Sequence, residues 1–222
     1  MAEHNGGALA TLNKLYEVAT SQFVPGQKTA AQLAQAYLSK HDTVDQAIDS
    51  LIAWQAGKTA VTGFALGLPG FAFLPATIPA DLASLWYVQL LMVAAIAEMY
   101  GLDSRDDTVR TLAYASLLGS GVQGALSEVG AAIAVGSAAA LIQRKVSGQA
   151  LKQINKAIGF RLVTKAGKTG VVNLAKLAPI AGGLVGGAMN AVGTAAVGRA
   201  AKALLRPAPH GAQIEARPSL AE

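Results

Sequence analysis

Cysteine is absent from this chain of 222 residues, which excludes disulfide bonds, thiolate catalysis and cysteine-ligated metal sites within it. Charge is also scarce, since Lys, Arg, Asp and Glu make up 14% of the residues against about 25% in soluble domains. Aromatic residues account for only 5%, whereas 52% of the chain is hydrophobic. Small apolar side chains let helices approach closely, as helices do in lipid. The composition therefore predicts a membrane-associated protein or an unusually apolar globular domain.

The motifs of common enzyme sites are missing as well. No H-x-x-x-H, H-E-x-x-H, G-x-S-x-G or P-loop pattern occurs, and His4, His41 and His210 are expected at flexible or surface positions. Residues 119–124, GSGVQG, fit the dinucleotide pattern, but they follow an expected helix, and Arg144 stands where that site needs an acid. We interpret this segment as a helix-breaking turn. No metal site, cofactor or enzymatic activity is expected.

Acidic residues are nearly missing from the second half of the chain. Residues 1–128 carry a net charge of −5 and residues 129–222 a net charge of +10. Eight cations follow one another without an intervening acid: Arg144, Lys145, Lys152, Lys156, Arg161, Lys165, Lys168 and Lys176. Such a segment predicts an anionic partner, with a solvated basic loop region as the alternative.

Anionic lipid headgroups suit this basic segment better than nucleic acid does. Base stacking needs aromatic side chains between the cations, and residues 144–176 contain only Phe160. Each Lys or Arg near an anionic membrane contributes about 1 kcal/mol of binding free energy. The positive-inside rule places the segment on the cytoplasmic side of a membrane.

The chain is predicted to be all-α, because β-branched residues are scattered and no run alternates with period two. A helix is expected to begin at a cap formed by Asp42 or Thr43 and to present an apolar face on its way to Lys58. The other expected helices cover about 9–23, 28–40, 79–100, 105–118, 122–146 and 180–205. Shorter helices are expected within 144–176, with interruptions at Gly148, Gly159, Gly167 and Gly170.

A stretch of 22 residues, 59–80, carries no charge, yet it contains Pro69, Pro75 and Pro79, which cannot all lie inside one helix. We expect an irregular connection over 69–77 and a new helix with Pro79 at its first position. Asp81 would lie in the first turn of that helix, and Gly101 would end it in the left-handed conformation. The two elements would form an apolar hairpin, either dipping into one leaflet or lying at the centre of a bundle.

A second stretch of 22 uncharged residues, 177–198, is rich in glycine. A helix there would carry a ridge of glycines on which another helix could pack at close range, usually in membranes. Tight packing of two soluble helices is the alternative. The glycines expected to pack are Gly182, Gly183, Gly186, Gly187 and Gly193.

Asp81, Gln89 and Glu98 are the polar residues of the most apolar helix. At 100° per residue the two carboxylates do not share a face, so a paired acid–base device on this helix is not expected. Asp81 is interpreted as an N-terminal cap. Glu98 lies near the negative end of the helix dipole, and we expect it to pair with a cation of 144–176 or to touch a partner. A lipid-acting enzyme using Asp81 or Glu98 remains a further hypothesis.

Four segments, in this order, resemble the EcsC family of bacterial proteins. They are DQAIDSLI (45–52), TGFALGLPGF (62–71), PADLASLWYVQLLMVAAIAEMYGLD (79–103) and PIAGGLVGGAMNAVGTAAVGRAAKALL (179–205). The resemblance implies a helical, membrane-associated protein linked to an ABC transporter and to protein secretion, with no catalytic residues to carry over. Leu91 is a departure, because the family pattern has an arginine there.

Three regions are expected: an N-terminal helix with a flexible end over 1–27, an EcsC-like helical domain over 28–205 and a disordered tail over 206–222. The first hypothesis is a non-enzymatic protein at the cytoplasmic membrane, held as an integral hairpin or peripherally. Its expected partners are anionic lipids and, by resemblance, ABC-transporter subunits, with a second copy of the chain as a further alternative and no nucleic acid. The competing hypothesis is a cytoplasmic, soluble helical bundle that binds a protein or an apolar ligand.

Overall fold

The computed structural model describes residues 2–21, 26–61, 80–122, 148–174 and 182–207. Within these ranges the chain forms helices and no strand, which confirms the all-α prediction. The helices are α1 (Ala2–Ser21), α2 (Ala30–Leu38), α3 (Val44–Val61), α4 (Ala80–Met99), α5 (Asp107–Ser116), α6 (Gly148–Leu174) and α7 (Gly182–Leu205), with a 3-10 turn at Gly119–Gly121. The expected helix over 122–146 lies outside the described residues except for Val122.

Helix α4 is the centre of the fold. Every residue from Ala83 to Met99 is buried except Leu85 and Glu98, which are half-buried. A helix that is apolar all round can be stable in water only when neighbours cover each of its faces. Helices α1, α2, α3, α5 and α7 all contact α4 and provide that cover.

The end of α4 confirms the role predicted for Gly101. This glycine has φ +76°, a left-handed conformation that costs residues with a Cβ atom more. Its N–H donates to the Glu98 carbonyl at 3.0 Å, and the Leu102 N–H donates to the Ala97 carbonyl at 3.0 Å. These two bonds form a Schellman motif, which satisfies the last carbonyls of the helix and turns the chain toward α5.

Local capping chemistry sets the starts of α3 and α5. The Thr43 hydroxyl accepts a hydrogen bond from the Gln46 N–H at 3.2 Å, so of the two candidates for the α3 cap the structure selects Thr43. The helix expected over about 105–118 begins two residues later than predicted, at Asp107. Asp106 is its N-cap and accepts from the N–H groups of Thr108 and Val109 at 2.7 and 3.1 Å.

Helices α3 and α7 run antiparallel and make the most extensive helix–helix contact of the fold. A Cβ atom added to Gly187 would collide with the backbone oxygen of Ala60, and one added to Gly198 would lie 2.6 Å from Ile52 Cγ1. The two backbones can therefore approach this closely at Gly187 because this residue has no Cβ atom, and at Gly198 the missing Cβ atom leaves room for the Ile52 side chain. Gly193 faces outward, and a Cβ atom there would meet nothing within 4 Å.

Helix α6 is continuous from Gly148 to Leu174, so the predicted interruptions at Gly159, Gly167 and Gly170 are wrong. Glycine lowers helix propensity by about 1 kcal/mol, which packing on one face can offset. That face packs against α1 and α5, and Gly159 lies close to Leu9 of α1. Its buried side chains are Leu151, Ile154, Ile158 and Leu162.

The folded part of the chain extends past the boundary expected at residue 205. Arg206 is joined to Asp45 of α3 by two hydrogen bonds of 2.8 and 2.9 Å, so it belongs to the helical domain and not to a disordered tail. The remainder of the predicted tail, 208–222, lies outside the described residues.

We predict that Gly187→Ala lowers the free energy of unfolding, because the new methyl group meets a backbone atom that cannot rotate away. Overpacking of this kind costs about 1–3 kcal/mol. Gly193→Ala is the matched change on the same helix, and it is expected to raise stability by up to about 1 kcal/mol through helix propensity. Urea unfolding followed by circular dichroism measures both. Equal effects of the two changes would contradict the close contact at Gly187.

Candidate functional site

The exposed face of α6 carries a row of two cations and one aromatic ring. Lys152, Lys156 and Phe160 are spaced four residues apart, so they lie one above another along one side of the helix. Both lysines are exposed, and 47% of Phe160 is exposed. Within the described ranges neither lysine forms an ion pair with a carboxylate. We call Lys152, Lys156 and Phe160 the basic row.

The other cations of the predicted anion-binding set do not all join this row. Arg161 is half-buried and already takes part in an interaction within the protein. Lys165 and Lys168 lie on α6 as well. Arg144, Lys145 and Lys176 lie outside the described residues. No Asp or Glu occurs from residue 148 to residue 174, so the basic row lies on a helix free of negative side chains.

Glu98 has a structural partner that the sequence did not indicate. Its Oε1 accepts a hydrogen bond from the Ser104 N–H at 3.2 Å, and the Tyr16 hydroxyl donates to the Ser104 carbonyl at 2.7 Å. Both backbone groups of the buried Ser104 are thus satisfied by side chains from α4 and α1. Among the described residues Glu98 forms no ion pair with a cation of α6. Glu98 therefore holds the α4–α5 connection in place.

Aromatic contacts of Tyr16 connect this group of hydrogen bonds to α5. The rings of Tyr16 and Tyr114 meet edge to face with centroids 5.7 Å apart, and the Tyr114 hydroxyl donates to Asn13 Oδ1 at 2.8 Å. The Arg110 guanidinium lies 5.8 Å from the centre of the Tyr16 ring. Burial, together with the neighbouring Tyr114, raises the pKa of Tyr16 far above its ordinary value. The phenol therefore stays protonated and remains a hydrogen-bond donor.

A charged network joins the start of α3 to the end of α7. Lys202 Nζ lies 2.6 Å from Asp49 Oδ1 and 3.5 Å from Asp45 Oδ1, while Arg206 pairs with both oxygens of Asp45. The Tyr100 hydroxyl also donates to Asp45 at 3.3 Å. Partial desolvation acts to raise the pKa of Asp45, but the charges of Lys202 and Arg206 outweigh it and hold this pKa below its ordinary value.

Three polar side chains meet inside the bundle where α3, α4 and α7 come together. The Thr59 hydroxyl lies 2.9 Å from the Ala56 carbonyl oxygen and 3.3 Å from the Thr194 hydroxyl. Gln89 Nε2 donates to the Thr194 hydroxyl at 3.2 Å. Gln89 thus bonds to α7 from the middle of the apolar helix. Its polarity was visible in the sequence, but its partner on α7 was not.

The remaining predicted site residues have varied placements. Pro79 lies outside the described residues, and Asp81 is the second residue of α4. Leu91, at the position where the EcsC pattern has an arginine, is buried in the core. Gly182, Gly183 and Gly186 lie in the first turns of α7, before Gly187.

Neither a metal site nor a clear membrane span emerges from the described residues. No group of three or more His, Cys, Asp or Glu side chains is placed to hold a metal ion there. One helical segment, Leu82–Met99, is long and apolar enough to cross a membrane, and 78% of it is buried inside the protein. Core helices of soluble proteins share these properties, so the length and hydropathy of α4 are not evidence that it spans a membrane.

Comparisons of the chain with protein-family models, with curated proteins and with solved structures gave no match. The resemblance to the EcsC family stays a prediction.

We predict that Glu98→Ala destabilises the fold, because the Ser104 N–H would be left buried without an acceptor, at a cost of about 1–3 kcal/mol. Glu98→Gln keeps an acceptor oxygen and should stay within about 1 kcal/mol of wild type. Thermal unfolding of both variants measures the difference. If Gln destabilises as much as Ala, the charge and not the hydrogen bond is what Glu98 contributes.

We predict that the stabilising effect of Asp45 depends on pH. Its pKa is depressed in the folded state, so the carboxylate stabilises the fold above about pH 4 and loses that contribution as pH falls through the folded-state pKa. Asp45→Asn should lower the free energy of unfolding at pH 7 by less than about 1 kcal/mol, because the pair is largely exposed. The difference from wild type should shrink as the pH falls below 4.

Asp42→Asn is the matched variant, since Asp42 is exposed, lies just before the same helix and has no ion-pair partner among the described residues. Denaturant unfolding between pH 3 and pH 8 compares the two variants. If Asp42→Asn and Asp45→Asn gave the same pH profile, the effect would come from the helix terminus and not from Lys202 and Arg206.

Proposed function

We propose that this protein is a non-enzymatic helical protein that binds the anionic surface of the cytoplasmic membrane through α6. The observation that carries the proposal is the basic row, which sets two exposed lysines and an exposed phenylalanine along one side of a helix without acids. Helices that lie on membranes combine cations, which attract anionic headgroups, with a large apolar side chain that enters the acyl boundary.

The opposite face of α6 supports a peripheral mode of binding. Leu151, Ile154, Ile158 and Leu162 are buried against α1 and α5, so α6 keeps these apolar side chains in the protein core while the basic row faces outward. Two lysines at about 1 kcal/mol each give weak, reversible attraction. Binding held mainly by such charges would fall as the salt concentration rises.

The cellular process is proposed from resemblance alone. Similarity to the EcsC family would link the protein to an ABC transporter and to secretion or another envelope function. If so, deletion of the gene in its host should reduce secretion. A copy of the gene that carries Lys152→Glu and Lys156→Glu should fail to restore it. Restoration by that copy would separate the secretion role from membrane binding.

A second candidate function is a helical bundle that binds a protein or an apolar ligand without a membrane. The enclosure of α4 by α1, α2, α3, α5 and α7 favours it, because this apolar helix is already covered by the protein itself. The two candidates differ in one measurable property, the affinity for lipid vesicles.

We predict that Lys152→Glu with Lys156→Glu weakens binding to phosphatidylglycerol vesicles by at least about tenfold, through lost attraction and added repulsion. Vesicle co-sedimentation at low and at physiological salt measures the affinity. Lys28→Glu with Lys40→Glu makes the same change of net charge at two exposed positions elsewhere and should weaken binding much less. Equal losses of affinity in the two double variants would show that the net charge of the protein, and not the basic row, attracts it to vesicles. No binding by the wild-type protein would favour the second candidate.

A further inference from the structure

The antiparallel pair of α3 and α7 has one charged end and one uncharged end. At the charged end, Asp45 and Asp49 meet Lys202 and Arg206 in the network described above. Toward the other end, residues 50–61 of α3 carry a single charge, that of Lys58, and residues 187–198 of α7 carry none. The antiparallel arrangement brings these two uncharged parts together, as the contact of Gly187 with Ala60 shows.

Large apolar side chains are exposed at this uncharged end. The exposed fractions are 62% for Trp54, 47% for Met189 and 68% for Val192. We call Trp54, Met189 and Val192 the apolar end. Lys58 is also exposed and follows Trp54 by one helical turn. Tryptophan and lysine are both common at the level of lipid headgroups, where the amphipathic ring contacts apolar and polar groups and the cation contacts the headgroups.

Three polar side chains near the apolar end, those of Thr59, Thr194 and Gln89, are turned inward and bonded to one another. Thr59 and Thr194 are both buried, their hydroxyls are 3.3 Å apart, and Gln89 donates to Thr194. Internal satisfaction of polar groups is what a hydrocarbon environment demands, because lipid offers no hydrogen-bond partners. Close packing of helices through glycine, seen at Gly187, is also characteristic of helix pairs in lipid.

The sequence that follows α3 and the sequence that leads into α7 also lack charge. No charged residue lies between Lys58 and Asp81, and none occurs among the 22 residues before Arg199. Uncharged stretches of this length suit the hydrocarbon of a bilayer.

We infer that the apolar end of the α3–α7 pair inserts into the acyl region of a lipid bilayer, with Trp54 and Lys58 at the headgroup level. This inference rests on the membrane association proposed above, but it uses a surface separate from the basic row. The basic row would supply electrostatic attraction, and the apolar end would supply burial of hydrophobic area in lipid.

Fluorescence can test the insertion directly, because the chain has two tryptophans in opposite environments. Trp54 is 62% exposed and Trp86 is 4% exposed. In Trp86→Phe the emission comes from Trp54 alone, and in Trp54→Phe it comes from the core residue Trp86. The probe is a vesicle of phosphatidylglycerol and phosphatidylcholine, with bromine on the acyl chains of the phosphatidylcholine to quench nearby rings.

On vesicle binding, the emission of Trp54 should shift to shorter wavelength and be quenched by the brominated chains, while that of Trp86 should not change. Val192→Asp places a charge at the apolar end and should weaken vesicle affinity about tenfold or more. Ala31→Asp adds the same charge at an exposed position of α2 and should leave the affinity nearly unchanged. Val192 is exposed, so its substitution should not prevent folding.

The outcomes separate this inference from the proposed function. If the protein binds vesicles through the basic row while Trp54 remains unshifted and unquenched, insertion is wrong and surface binding stands. If Val192→Asp weakens binding but reversal of the basic row does not, insertion stands and the role of α6 is wrong. A blue shift of Trp54 that depends on protein concentration without vesicles would overturn the lipid assignment in favour of a second copy. Failure to bind any vesicle would overturn both proposals.

Discussion

The fold depends on covering one helix that has no polar side. From Ala83 to Ala97 α4 is buried apart from the half-buried Leu85, and its exposure to water would be costly in proportion to that apolar area. Helices α1, α2, α3, α5 and α7, which come from both halves of the sequence, meet this requirement together. Gln89 is a polar residue within this core helix, and its bond to Thr194 fixes which part of α7 lies against it. One polar contact in an apolar surrounding can thus specify the alignment of helices that hydrophobic burial alone would leave free.

Local chemistry made parts of this arrangement predictable from the sequence. Gly101 ended α4 as expected, because few other residues adopt its backbone conformation at low cost. Long-range contacts account for what the sequence did not reveal. The glycines of α6 predicted interruptions, yet packing against α1 and α5 keeps that helix continuous. The partners of Glu98 and Asp45 depend on how distant segments meet, and no local spacing indicates that Arg206 lies beside residue 45.

The burial of α4 also changes where a membrane interaction should be sought. Composition and length point to the apolar segment Leu82–Met99, but most of that segment is buried in the core of the bundle. Two features on the surface of the described residues are of a different kind: the basic row of α6 and the apolar end of the α3–α7 pair. They are separate in sequence and unlike in chemistry, so in the proposals made above each acts on a different layer of a bilayer, the headgroups or the acyl chains.

The pairing of α3 with α7 has a consequence for the order in which the chain can fold as it is made. Thr59 and Thr194 are 135 residues apart, and Asp49 and Lys202 are 153 apart. At about 5–20 residues per second, α7 leaves the ribosome roughly 7–30 s after α3. Throughout that interval α3 and α4 lack the helix that closes over them. Helices α1, α2 and α3 are made before α4 and can already cover part of it, but the surface of α3 and α4 that α7 covers stays open until synthesis is nearly complete. That surface is therefore accessible to chaperones, to lipid and to other copies of the chain before the native bundle is complete.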